Sequence, residues 1–97
     1  MDELQEWIEA HRADRHPSTI EKLEWLVHDG HLPAGLMRDV FTDCGDLAFA
    51  MATHLEDGPQ LTLGLQHLID AKDCFVRSAK RQRDRAAAEV ATADDDA

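Results

Sequence analysis

From Leu61 to Arg81 the apolar residues recur at the spacing of one helix face, and a pattern this long leaves little room for any other kind of element. Wound at about 100° per residue, Leu61, Leu65, Leu68, Ile69, Ala71, Phe75, Val76 and Ala79 form one stripe, with Lys72 near its middle. Burying an unpaired ammonium costs several kcal/mol, so Lys72 needs an outlet. It can snorkel to water, sit at a helix–helix rim, pair with an acidic residue of a neighbouring helix, or meet an anionic ligand held between subunits. Arg77 lies almost opposite Lys72 on the same wheel, beside Gln66, Asp70 and Asp73. An Asp73–Arg77 pair four residues apart would account for it at a few tenths of a kcal/mol.

The remaining pattern contains helices and no strand. Leu4, Trp7, Ile8 and His11 are spaced for a short first helix ending near Ala13, before the His16-Pro17 break. Ser18-Thr19-Ile20-Glu21 reads as a capping box that opens a second helix carrying Ile20, Leu23, Leu26 and Val27, with Asp29-Gly30 as its stop. Pro33 suits the first turn of a third helix reaching about Glu56, and Asp57-Gly58-Pro59 turns the chain into the fourth. The predicted fold is therefore all-α: a long antiparallel helical hairpin, its core at residues 33–81, preceded by two short N-terminal helices. Residues 1–85 read as one helical domain. Past Arg85 the apolar periodicity stops and Asp94, Asp95 and Asp96 follow, which predicts a fraying helix and then a disordered acidic tail over residues 86–97, dispensable for assembly.

The third helix carries two apolar faces. Leu36, Met37, Val40, Cys44, Leu47, Ala48, Met51 and Leu55 form the broader one, expected to pack on the fourth helix and the N-terminal helices. Arg38, Phe41, Thr42, Gly45, Phe49 and Ala52 form the other. Gly45 inside a helix costs about 1 kcal/mol relative to Ala, and close approach by another backbone or a ligand is the usual compensation. A two-faced helix in a short chain implies self-association, with Phe41, Gly45 and Phe49 at the subunit contacts of a homo-oligomer, unless the N-terminal helices fold over the second face within one subunit.

Composition narrows the function classes. A net charge of −10 argues against a partner that is a long nucleic acid, whose binding depends on many Lys and Arg contacts. Yet Lys72, Arg77, Lys80, Arg81, Arg83 and Arg85 are six of the ten basic residues, a local cluster of the kind a small polyanion requires. Cys44 and Cys74 are too few for a disulfide framework, the opening residues do not resemble a secretory signal, and no apolar run approaches a membrane span, so a cytosolic chain without a membrane partner is expected. No Gly-rich phosphate loop or nucleophile motif calls for catalysis or a cofactor. His28 and His31, two residues apart in a loop, are too few for a metal site on their own.

The stretch from Leu61 to Ala79, LTLGLQHLIDAKDCFVRSA, following Glu56-Asp57-Gly58-Pro59, resembles the second arm of the helical hairpin in bacteriophage anti-CBASS and anti-Thoeris sponge proteins. The likeness spans Leu32 to Arg81. It implies an oligomer, often a hexamer in that family, that sequesters cyclic oligonucleotides or cyclic ADP-ribose isomers without degrading them, in the cytoplasm of an infected bacterial host. A Lys frequent on the family's first hairpin arm is matched in place by Thr42, with Arg38 one turn earlier, and Trp25 is the counterpart of an aromatic laid over the ligand base. The candidate ligand contacts are thus Lys72, Arg77, Arg38, Trp25, Phe49 and Thr42. Cations for the phosphates and flat side chains for the bases are the residue types such a ligand needs. The competing class is an oligomeric helical adaptor or assembly module that binds another protein through its second apolar face.

Overall fold

The computed structural model describes residues 3–27 and 32–96, with side chains described through residue 90. Four helices follow one another: α1 (Glu3–His11), α2 (Pro17–Glu24), α3 (Leu36–His54) and α4 (Pro59–Asp96). Helices α3 and α4 form the expected antiparallel hairpin. Helices α1 and α2 lie across one of its broad faces, α1 against α3 and α2 against α4. Leu4, Ile8, Ile20, Leu23 and Leu26 from the short helices meet Ala48, Ala52, Leu61, Leu65 and Ile69 from the hairpin in one core. Small residues on α3 let the short helices approach closely, which is why a core can be built from so short a chain.

Local chemistry explains the boundaries. The expected capping box does not form. Proline at the first helical position makes His16 the N-cap of α2, and its Nδ1 accepts from the Ser18 backbone N–H at 3.1 Å. Ser18 Oγ instead lies 3.3 Å from Thr62 Oγ1 on α4. Next along, Lys22 donates to Gln66 at 2.6 Å, and Lys72 donates to the carbonyl of Trp25 at 2.6 Å. These three cross-links show that α2 runs parallel to α4. Gly35, with φ of 143°, turns the chain into α3, a backbone angle that disfavours any side chain. Asp29 and Gly30, the predicted stop of the second helix, lie outside the described residues.

Arg15 is the residue that ties the two layers together. Its guanidinium donates to the carbonyls of Ala52 and Leu55 at the end of α3, at 2.9 and 3.0 Å, and to Asp57 Oδ1 in the hairpin turn at 2.8 Å. It also sits 5.0 Å from the centre of the Trp7 ring. Asp57 completes the clasp by accepting the His16 backbone N–H at 2.8 Å. The unpaired carbonyls that end a helix thus find a cation, as both hydrogen bonding and the helix dipole favour.

Two expectations are corrected. On α3, Cys44 and Ala48 of the broader stripe are buried but its Leu36, Leu47 and Leu55 are exposed, while Gly45 and Ala52 of the other face are buried and Phe49 packs against the core. The short helices cover this second face within the one chain, because a small-residue surface admits two more helices where leucines would hold them off. The other correction is the end of α4. It continues to Asp96, past the predicted fraying at Arg85. Lost apolar periodicity signals lost packing, not lost helix: arginine and alanine are strong helix formers, and the hairpin has already nucleated the helix. Ala79 is the last buried residue of α4 among those with described side chains, and residues 80–90 are all exposed.

Candidate functional site

Of the six sequence-predicted contacts the structure joins two, Lys72 and Trp25, and shows no contact of the other four with them. Where α2 ends over the hairpin, Lys72 Nζ lies 2.6 Å from the Trp25 carbonyl oxygen and 5.5 Å from the centre of the Phe41 ring. Trp25 itself is 63% exposed, so its indole stands open at the end of α2, whose carbonyl the cation meets. Arg38, exposed, lies one turn before Phe41 on α3, and half-buried Thr42 follows it. Phe49 is packed against the core two turns further along the helix. Arg77 is exposed on α4 and has neither the expected Asp73 pair nor another partner among the described residues. Of the proposed oligomer contacts Phe41, Gly45 and Phe49, the first underlies Lys72 and the other two face the chain's own core.

Lys72 sits at a helix–helix rim, where the end of α2 meets α4. Its partner is neither a carboxylate nor open water but the backbone carbonyl at the C-cap of α2. A cation at a helix C-terminus is favoured by the last carbonyls and by the dipole. Lys72→Met is therefore expected to lower stability by about 1 kcal/mol, with Lys72→Arg close to wild type. Urea midpoints check this, and a methionine variant more stable than wild type would contradict it.

Other groups near the cluster are not set up for chemistry. Burial pushes the Cys44 thiol up from its usual range, with Asp43 adding to the rise and Lys72 opposing it, so the thiol stays protonated and a poor nucleophile. Among the described residues no group of three His, Cys, Asp or Glu side chains could hold a metal ion, and His28 and His31 lie outside those residues. No described helix is long and apolar enough to cross a membrane.

The structure also presents two concavities that the sequence did not announce. A cleft of about 620 Å³ lies where α2 and α4 begin, lined by His16, Ser18, Lys22, Asp57, Thr62 and Gln66 among others. Those six are bonded to one another or to Arg15, so the cleft is a by-product of the interlayer cross-links. The second, about 440 Å³, is an apolar groove on the hairpin lined by Leu47, Met51, Leu55, Leu61, Gly64 and Leu68. Its signal in the sequence was the pair of leucines left over once the small-residue face of α3 is taken as the buried one. No protein-family model, curated protein or solved structure matches the chain.

Proposed function

We propose that this chain binds and sequesters a cyclic nucleotide signal, a cyclic oligonucleotide or a cyclic ADP-ribose isomer, without turning it over, as a phage immune-evasion protein would. The observation that carries the reading is the cluster at the end of α2: a Lys72 ammonium over the Phe41 ring, bonded to the backbone carbonyl of Trp25, whose own side chain is exposed. That pairing of charge and flat surface suits a phosphate next to a base. Arg38 and Thr42, flanking Phe41 in sequence, supply a further cation and a hydroxyl. The motif-bearing stretch is the second arm of an antiparallel hairpin, in keeping with the resemblance. Arg77 belongs to this reading only through a second subunit of a homo-oligomer.

A thermal-shift panel of cyclic dinucleotides, cyclic trinucleotides and cyclic ADP-ribose isomers tests it. A ligand at one hundred times its dissociation constant adds about 2.7 kcal/mol of stability. Arg38→Ala, at an exposed position with no partner among the described residues, should abolish the shift and leave the unliganded melting temperature within about 3 °C, since surface changes of this kind stay within about 0.5 kcal/mol. The second reading, a helical adaptor, is favoured by the uncovered apolar groove between α3 and α4. An unresponsive panel together with a groove variant that loses a protein partner would select it.

A further inference from the structure

We infer that the exposed end of α4 is a dimerisation arm, which lies in the apolar groove of a second copy of this chain in an antiparallel α4–α4 pairing. Three observations on different parts of the molecule lead to the same arrangement.

The first is the arm itself. Helix α4 has 38 residues, about 57 Å at 1.5 Å per residue, and accounts for most of the molecule's 61 Å length. Its exposed portion still has an edge of mostly uncharged residues, interrupted by Glu89. Gly64, Leu68, Ala71 and Phe75 lie on the side of α4 that borders the groove, and the same edge continues beyond the hairpin as Gln82 and Ala86, with Val90 at its margin. Val90 is 63% exposed and Phe75 54%.

The second is Gly64. A glycine within a helix costs about 1 kcal/mol relative to alanine, and nothing within 4 Å would obstruct a Cβ there. The chain's own packing gives no reason for the residue. A helix from outside, crossing close to the backbone at the groove, does.

The third is register. A two-fold axis at Arg77, perpendicular to α4, sets large side chains against small ones, with Val90 opposite Gly64 and Ala86 opposite Leu68. It also brings Arg81 and Arg83 level with exposed Asp43 and Asp46 on the partner's α3. The charges agree with this placement. Lys80, Arg81, Arg83 and Arg85 form the chain's densest basic segment, while the rest of the chain is strongly acidic. Such an interface is isologous and closed, and each arm reaches one groove. It uses the leucine-rich edge of the hairpin, opposite the face that α1 and α2 occupy, and it stands independently of any ligand.

The test uses the full chain with Cys74, exposed, changed to Ser to remove a competing thiol. Sedimentation equilibrium at tens of micromolar is expected to give twice the chain mass. Ala86→Glu and Val90→Glu, both on the exposed arm, should each weaken the dimer at least tenfold while helicity by circular dichroism is unchanged. Orientation is read by mixing Leu68→Cys protein with Ala86→Cys protein under oxidation. The mixture should cross-link and neither variant should cross-link with itself. A chain that stays monomeric, a dimer indifferent to both glutamates, or self-cross-linking of each variant without mixed product overturns the proposal.

Discussion

Arg15→Ala is expected to lower the stability of the fold by about 3 kcal/mol, a fall in melting temperature of roughly 15 °C for a chain of this size. The side chain is only 16% exposed and makes three charge-assisted hydrogen bonds, two of them to the carbonyls that end α3. Removing it strands those carbonyls, leaves Asp57 without its cation, and opens the stacking against Trp7. Arg15→Lys keeps the charge and loses the fork that reaches two carbonyls and a carboxylate at once, so it should recover less than half of the loss. The same clasp predicts an acid limb. Burial acts to raise the Asp57 carboxyl, but the hydrogen bonds from the His16 N–H and from Arg15 outweigh it and hold the group below its ordinary range. A carboxylate depressed in the folded state contributes stability that is complete above its unfolded pKa, about 3.9, and is lost as pH falls through the folded value. Asp57→Asn should therefore be less stable at pH 7 and less sensitive to acid than wild type. An Arg15→Ala variant that melts within 3 °C of wild type contradicts the clasp.

Leu65→Ala is expected to cost about 3 kcal/mol, whereas Leu47→Ala should cost less than about 1 kcal/mol. Leu65 is 2% exposed at the centre of the core and Leu47 is 49% exposed on the rim of the groove. The two leucines look alike in the sequence, since both belong to strong apolar stripes on the hairpin helices. Chemical denaturation of the two variants separates them. At chain concentrations too low for dimerisation, equal losses would mean that α3 presents its leucine edge to the core after all.

That comparison also marks how far the sequence could be read. Helix periodicity and the Asp57-Gly58-Pro59 turn are local signals, and the hairpin followed from them. The choice between two apolar faces on α3 is a tertiary decision. It depends on Gly45, Ala48 and Ala52 admitting α1 and α2 at close range, which no window of the sequence measures. The same limit hid Arg15, whose partners lie about forty residues away. At the candidate site, the position of Lys72 in the stripe was legible but its partner was not, because a backbone carbonyl leaves no mark in a sequence. Phe41 and Trp25 were visible as aromatics, and only the end of α2 over the hairpin brings them to the same ammonium. The extent of α4 to Asp96 left no periodic signal, because periodicity reports what a helix packs against within its own chain.

The most direct measurement of the proposed activity is equilibrium dialysis of the full chain against a cyclic dinucleotide, a cyclic trinucleotide and a cyclic ADP-ribose isomer in turn, with each ligand recovered and analysed by chromatography. The account predicts that at least one accumulates on the protein side at a saturable stoichiometry, is released chemically unchanged on denaturation, and no longer accumulates with Arg38→Ala. Equal concentrations across the membrane for every ligand, or recovery of a cleaved product, would contradict it.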